Sequence, residues 1–274
     1  MRQVRINEDF TAYVYGFEIK YVSHYAMSVF NDMIFNSDEH WFSSDSQEPV
    51  IIDAGSNIGC VALYMKHYFP RAHILCFEPD DFLFSILKRN IVNNNLQNVE
   101  LHNCALGGED GECILYSSND RHLSGGLGNS IKPDWGIQES PHLYDNSKKV
   151  QVKRLSPFIN GKVDYLKIDV ESAECDVIFE IREKLHLIKQ LHVEVHSLGS
   201  KNREEVKKIA NILEENNFHC EIDDSSPSLP PWTKKWANQS QPNIRTVRAV
   251  NLRHIQKSHI KKKLDSFKLV NAYV

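Results

Sequence analysis

The side chains best placed to do chemistry are Asp169, Glu171, Glu194 and His196, which close two short runs, Asp164-Tyr-Leu-Lys-Ile-Asp-Val-Glu and Leu191-His-Val-Glu-Val-His. Both runs have the length and composition of β-strands. Alternation puts Asp169 and Glu171 on one face of the first, and His192, Glu194 and His196 on one face of the second. Carboxylates and an imidazole gathered at one end of a sheet can move a proton, orient a hydroxyl or hold a cation. An unperturbed imidazole titrates near working pH, so His196 is the candidate general base, with Glu194 orienting or replacing it. The His-x-Glu-x-His face also offers donor types that suit a metal. Donor type without geometry assigns none, and no metal is expected here. His192 lies deeper and reads as a core histidine with its hydrogen bonds satisfied. Glu171 and Glu174 have a plainer alternative as caps of the following helix.

A second group lies upstream in Val50-Ile-Ile-Asp-Ala-Gly-Ser-Asn-Ile-Gly59, an apolar run that reaches an acid and then two glycines where a helical pattern starts. This reads as a strand, a tight turn and a helix N-terminus, where unpaired N–H groups can hold a polar ligand. The spacing is neither the phosphate-gripping Gly-x-x-x-x-Gly-Lys-Ser/Thr nor the dinucleotide Gly-x-Gly-x-x-Gly. Asp53 instead sets a negative charge beside the turn, a poor neighbour for pyrophosphate and a good one for a ligand with ammonium and sulfonium charges. S-adenosylmethionine has both. About twenty residues on, Ala72-His-Ile-Leu-Cys-Phe-Glu-Pro-Asp80 reads as a second strand ending at Glu78, an acid able to accept from both ribose hydroxyls. Asp53 and Glu78 are thus expected to face one cofactor across the turn.

These groups need a sheet to hold them. The pattern predicts strands at 50–53, 73–78, 99–104, 150–154, 164–169, 190–196 and 218–223, and a last one at Thr246-Val-Arg-Ala-Val-Asn-Leu. Helices are expected near 58–69, 81–93, 174–186 and 203–217. Such alternation implies an α/β fold, a mostly parallel sheet with helices on both faces. Residues 1–49 read as a cap packed on the main domain, 50–253 as that domain, and 254–274 as a basic helical tail. Residues 107–149, rich in Gly, Ser, Asn and Asp around a hairpin at Glu112-Cys-Ile-Leu-Tyr, break the rhythm and are expected to face substrate.

Composition narrows the function further. With 274 residues and 41% hydrophobic residues the chain can bury a sizeable core, and a net charge of −4 gives no strong general attraction to nucleic acid or acidic membrane. Six scattered cysteines without a Cys-x-x-Cys pair read as free thiols in a reducing compartment. No leader or membrane span is apparent, so a soluble cytoplasmic protein is expected. Enzymes that methylate base amines commonly place Asp/Asn/Ser-Pro-Pro-aromatic after the fourth strand, where this chain has Asp169-Val-Glu-Ser-Ala-Glu. The later Leu229-Pro-Pro-Trp232 has leucine at the accepting position, and no Pro-Cys supplies a thiol to attack a pyrimidine. A hydroxyl or carboxyl acceptor is favoured.

The chain resembles the FkbM-type methyltransferases, a branch of the class I enzymes that use S-adenosylmethionine. Three blocks carry the likeness in order: Val50 to Gly59 with Phe77-Glu-Pro79, then Asn103-Cys-Ala-Leu-Gly107, then Leu166-Lys-Ile-Asp-Val-Glu171. Glu194-Val-His196 is similar to the family's fifth-strand ending. The resemblance covers about residues 48–200 and implies a Rossmann-like, seven-stranded sheet with a reversed last hairpin. It also implies that Asp53, Gly55, Asn57 and Gly59 surround the methionine part of the cofactor, Glu78 its ribose, and Cys104 and Ala105 the adenine edge. Asp169 would face the methyl-transfer region. Where the family usually has Glu-Gly-x-Glu, this chain has Glu171-Ser172-Ala-Glu174.

The expected activity is transfer of a methyl group to an oxygen of a small molecule, a sugar or natural-product intermediate, with Asp169, Glu194 and His196 on the acceptor side. Two other classes stay open. A methyltransferase acting on RNA or protein would dock through 107–149 and the basic tail, and a non-catalytic cofactor-binding scaffold would need only the glycine turn. The sequence does not set the oligomeric state.

Overall fold

A computed structural model of the chain describes residues 5–6, 10–37, 39–118, 120, 124–133, 146–197, 200–223 and 244–254. The basic tail from residue 255 on, Leu229-Pro-Pro-Trp232 and part of the 107–149 segment lie outside the described residues.

The chain opens with three short antiparallel strands, β1 (Arg5–Ile6), β2 (Thr11–Val14) and β3 (Phe17–Lys20), followed by helix α1 (His24–Phe30) and a π-helical turn, Asn31–Phe35. Ser23 caps α1, its Oγ accepting from Ala26 N at 3.2 Å. The alternating unit follows: β4 (Val50–Ala54), α2 (Cys60–Tyr68), β5 (His73–Phe77), α3 (Asp81–Asn93) and β6 (Val99–His102). Next come three strands of a smaller sheet, β7 (Ala105–Leu106), β8 (Gly111–Ser117) and β9 (Asn146–Lys153). The alternation resumes with β10 (Tyr165–Ile168), α4 (Glu174–Glu180), β11 (Gln190–His196), α5 (Ser200–Glu215), β12 (Phe218–Asp223) and β13 (Ile244–Asn251).

Seven strands form the main sheet in the order β12-β13-β11-β10-β4-β5-β6, with β13 antiparallel to both its neighbours and the remaining pairings parallel. This is the expected doubly wound sheet with a reversed last hairpin. β4 and β10 lie at its centre where the chain order reverses, and in such sheets ligands bind beyond the carboxyl ends of the strands at that point. The strand predicted at 150–154 starts earlier and pairs with β7 and β8 instead of joining the main sheet. Its residues alternate between exposed and buried, whereas β10 is buried throughout. One-sided burial suits a small flanking sheet, here antiparallel for β8–β9 and parallel for β7–β9, and two-sided burial a central parallel strand. The helix expected over 174–186 stops as α4 at Glu180 and gives way to a 3₁₀ turn, Arg182–Leu187.

Apolar side chains from successive strand positions fill two cores. Ile51, Ile74 and Tyr165 pack with α2, α3 and the N-terminal elements, while Ile52, Ala54, Leu166, Ile168 and Val193 pack with α4 and α5. The N-terminal strands are fastened to α3 by two asparagines that imitate a neighbouring strand. Asn90 accepts from Lys20 N at 2.7 Å and donates to Lys20 O at 3.0 Å, and Asn94 does the same for Glu18 N and O at 2.8 and 2.7 Å. Phe42 stacks on Tyr165 with 5.0 Å between ring centroids, which carries residues 39–42 over the main sheet. No helix among the described residues is long and apolar enough to cross a membrane.

Candidate active site

The turn after β4 is held by backbone contacts that admit little side-chain bulk. Gly55 has φ +88°, and a Cβ there would stand 1.7 Å from the carbonyl oxygen of Asp169, so glycine lets the ends of β4 and β10 touch. Gly59, at φ +90°, starts α2. Between them Asn57, at φ +48°, donates its N–H to Glu78 Oε2 at 2.9 Å. The Asn57 Oδ1 atom is buried and has no hydrogen-bond partner among the described residues. A buried acceptor without a donor is costly unless a ligand N–H or O–H meets it. This orphaned atom beside an acidic turn fits a ligand that brings an ammonium group.

Glu78 follows β5 and is 5% exposed. Its Oε1 accepts from Asp80 N at 2.9 Å, and the Asn103 side chain donates to its carbonyl at 2.9 Å, which draws Cys104 and Ala105 beside it. Burial and the nearby Asp80 charge push its carboxyl up to about 8 against the pull of its two N–H donors. Burial also pushes the Cys104 thiol up to about 11, so it is not a ready nucleophile.

Asp53 differs from the sequence expectation. It has no exposed surface, and the cation beside it is the protein's own: Lys167 Nζ stands 3.4 Å from Asp53 Oδ1, 3.1 Å from Asp169 Oδ2 and 2.8 Å from the Gly55 carbonyl oxygen. Burial works against the Lys167 charge, but Asp169 and Asp53 outweigh it and hold the ammonium above its ordinary range. Sequence reasoning missed Lys167. The signal was present in the register, since Lys167 lies directly opposite Asp53 across the β4–β10 pair and two residues before Asp169.

At the ends of β10 and β11 three carboxylates, those of Asp169, Glu171 and Glu194, converge on His196 Nε2. Glu171 Oε2 and Glu194 Oε1 each lie 3.6 Å from it, and Asp169 Oδ1 lies 3.9 Å away. The other ring nitrogen, Nδ1, is 3.0 Å from Glu174 Oε1, so Glu174, buried at the start of α4, fixes the imidazole. Burial alone would push His196 down; Glu171, Glu174 and Glu194 overcome it and hold the ring well above its ordinary pKa. This upward shift departs from the expectation of an unperturbed imidazole and leaves Glu194 as the candidate base. Burial and the Asp169 and Glu194 charges push Glu171 up to about 7. Asp169 is held low by Lys167 and His196 despite burial.

The turn after β10 is unusual. Glu171 and Ser172 adopt φ +52° and +82°, a region that L-residues enter at a cost. Ser172 takes the place of the family glycine in that backbone shape and is held there by its N–H on Glu174 Oε1 at 3.1 Å and its Oγ on the His196 carbonyl at 2.6 Å.

His192 departs from the satisfied core histidine expected of it. Its ring is 1% exposed, neither nitrogen has a hydrogen-bond partner among the described residues, and it meets His40 edge-on at 4.6 Å. Glu39 Oε1 lies 3.7 Å from its Nε2, too long for a hydrogen bond. Burial pushes His192 well down, so the ring stays neutral there. The contribution of Glu39 and His40 from the N-terminal region has no signal in the sequence. The segment 124–130 crosses the site as well: Gly128 N donates to Glu171 Oε1 at 2.8 Å, Ser130 Oγ donates to the Glu171 carbonyl, and Asn57 Nδ2 reaches Gly125 O at 3.5 Å.

Comparison with known proteins bears on this site. Residues 53–220 match the methyltransferase FkbM domain. The chain is 33% identical over 190 residues to "Methyltransferase 1" of Beauveria bassiana, covering 65% of this chain and 74% of that protein. It is 26% identical over 166 residues to "2-O-methyltransferase NoeI" of Sinorhizobium fredii, covering 55% of this chain and 64% of that one. Among solved structures, a putative methyltransferase from Streptococcus mutans in complex with SAH aligns over 82% of this chain and 97% of that chain, with 11% identity and a TM-score of 0.45. The family match spans the glycine turn, Glu78, the Asp169 turn and the end of β11, and the chain belongs to the FkbM methyltransferases, with S-adenosylmethionine as cofactor.

Proposed function

We propose that the protein transfers the methyl group of S-adenosylmethionine to a hydroxyl oxygen of a small molecule, a sugar or natural-product intermediate. The observation that carries this reading is the contact between the donor turn and the acceptor cluster. Gly55 meets the backbone of Asp169, whose side chain belongs to the group around His196. In this reading Asn57 and Glu78 hold the ammonium and ribose ends of the cofactor, with Gly55 and Gly59 leaving it room. Cys104 and Ala105 edge its adenine. Asp53 acts through Lys167, which braces the Gly55 carbonyl and Asp169.

The cofactor supplies a methyl group already activated on a positively charged sulfur. The protein has to place an oxygen in line with it and take up a proton. Asp169 orients the hydroxyl. As the oxygen–carbon bond forms and the carbon–sulfur bond breaks, the bonding pair stays on sulfur and the hydroxyl proton passes to the Glu194 carboxylate, which His196 holds in place from 3.6 Å. The name of the Sinorhizobium fredii relative, a 2-O-methyltransferase, supports an oxygen acceptor. The test is turnover with a panel of sugars and polyketide-like alcohols, reading S-adenosylhomocysteine release and the position of the new methyl group. A methyl ether is expected. Methyl found on nitrogen or carbon, or only on added RNA or protein, overturns the reading.

A further inference from the structure

We propose that Asp169, Glu171 and His196, with Glu194 as a fourth donor, bind one divalent metal ion of the Mn²⁺ class. The inference rests on the reading of these residues as the acceptor side of the site. Its geometric basis is that Asp169, Glu171 and His196 each have one atom engaged by the protein and another beside those of the other two. Asp169 Oδ2 is engaged by Lys167, and Oδ1 faces the cluster. Glu171 Oε1 accepts from Gly128 N, and Oε2 faces the cluster. His196 Nδ1 is fixed by Glu174, and Nε2 faces the cluster. One donor atom from each of Asp169, Glu171 and His196 falls within 4.8 Å of the other two. Glu194 Oε1 stands a further 3.6 Å from Nε2.

These spacings are near what a metal needs. Ligands about 2.1 Å from a small divalent ion lie roughly 3.0–3.4 Å from one another in octahedral or tetrahedral sites, so the carboxylates, 3.6–3.9 Å from Nε2, would close on the imidazole by about half an ångström, and the widest donor pair, within 4.8 Å, by more. A histidine whose second nitrogen is held by a buried carboxylate is the arrangement that orients metal-bound imidazoles, here through Glu174. Charge points the same way. Asp53, Asp169, Glu171, Glu174 and Glu194 are five carboxylates gathered around Lys167 and His196, and the imidazole meets an ion through Nε2 once that nitrogen has given up any proton it holds. A buried site with that excess of negative charge gains from a divalent cation. Three carboxylate oxygens with one imidazole nitrogen favour Mn²⁺ over the softer ions that thiolates select. The Asp169 and Glu171 side chains are 26% and 19% exposed, which gives the ion a way in. Placed there, the ion would hold the acceptor oxygen beside the donor turn.

The test is titration of Mn²⁺ alone into the full chain, followed by loss of the six-line paramagnetic resonance spectrum of the aqueous ion. One site per chain is expected. Glu171→Gln and Glu194→Gln should each weaken binding at least tenfold. The glutamine carbonyl can still accept from Gly128 N, and binding of S-adenosylhomocysteine by each variant reports that the fold survives. No uptake up to about 1 mM Mn²⁺ by folded protein, or equal uptake by the double variant, overturns the inference. Methyl ether formation undiminished in the presence of a strong chelator overturns it too while leaving the proposed reaction standing. Mn²⁺ uptake by a protein that makes no methyl ether supports the metal site and removes the proposed reaction.

Discussion

Lys167 stands directly opposite Asp53 in the β4–β10 register, and its ammonium lies 3.4 Å from Asp53 Oδ1 with both side chains almost wholly buried. The same ammonium reaches Asp169 and the Gly55 carbonyl. One cation thus ties the acid of the glycine turn to the acid at the acceptor site, beneath the surface on which the two substrates would meet. An acid at this place in a nucleotide-binding turn invites the reading that it touches the ligand. Here its immediate partner is inside the protein.

Lys167→Met is expected to be far more damaging than the loss of one surface pair. Removing one member of a buried ion pair leaves the other uncompensated, at a cost of about 3–5 kcal/mol. Chemical denaturation of the variant should show that loss. Adding Asp53→Asn to the same chain should recover part of it, because the more deeply buried of the two carboxylates that Lys167 faces is then gone and only Asp169 is left without it. If the double variant is as unstable as the sum of the two single ones, the pair is not coupled as described.

Ser172 gives a second test, because two effects on one residue oppose each other. Its φ of +82° is a glycine conformation, but its hydroxyl donates to the His196 carbonyl at 2.6 Å. Ser172→Gly relieves the backbone and loses the hydrogen bond, terms of about 1 kcal/mol each, so its stability should stay near that of the parent. Ser172→Ala keeps the strain and loses the bond, and should cost roughly 1–2 kcal/mol. Thermal or urea unfolding of the two variants ranks them, and alanine equal to or better than glycine would contradict the assigned backbone shape.

Much of this architecture is legible in local sequence. The α3 and β11 boundaries expected from periodicity, 81–93 and 190–196, are the observed ones, because both elements have clear ends. Asp80 caps α3 with its carboxylate on Phe82 N at 2.8 Å, and β11 is an uninterrupted buried run. The convergence of Asp169, Glu171, Glu194 and His196 is the one expected from strand alternation, although Asp169 and Glu171 sit past the end of β10, where Glu171 and Ser172 turn the chain at positive φ. Pairings made between distant segments were harder to see. Nothing local says that Glu39 and His40 come to rest against His192, or that Gly128 and Ser130 bond to Glu171. Lys167 is an intermediate case: its partner is far away in sequence but is fixed by a register that two adjacent parallel strands define.

Glu78 links the fold to cofactor binding through pH. Burial, with Asp80 nearby, lifts its carboxyl to about 8, whereas in the unfolded chain it ionises in the ordinary carboxylate range. The folded state therefore binds the extra proton. Its contribution favours folding below the ordinary carboxylate range and is lost progressively as pH rises to about 8. A ligand that donates hydroxyl hydrogen bonds to this carboxylate prefers the ionised form, so the sign reverses for binding. Affinity for S-adenosylhomocysteine should rise as pH increases toward and through about 8, with release of up to one proton at lower pH. Calorimetry in buffers of different ionisation enthalpy reads that proton directly. In Glu78→Gln the affinity should fall, and the proton release assigned to this residue should vanish. A parent protein that releases no proton between pH 6 and 8, or a variant that releases as many as the parent, would show that Glu78 is not the group that meets the ribose.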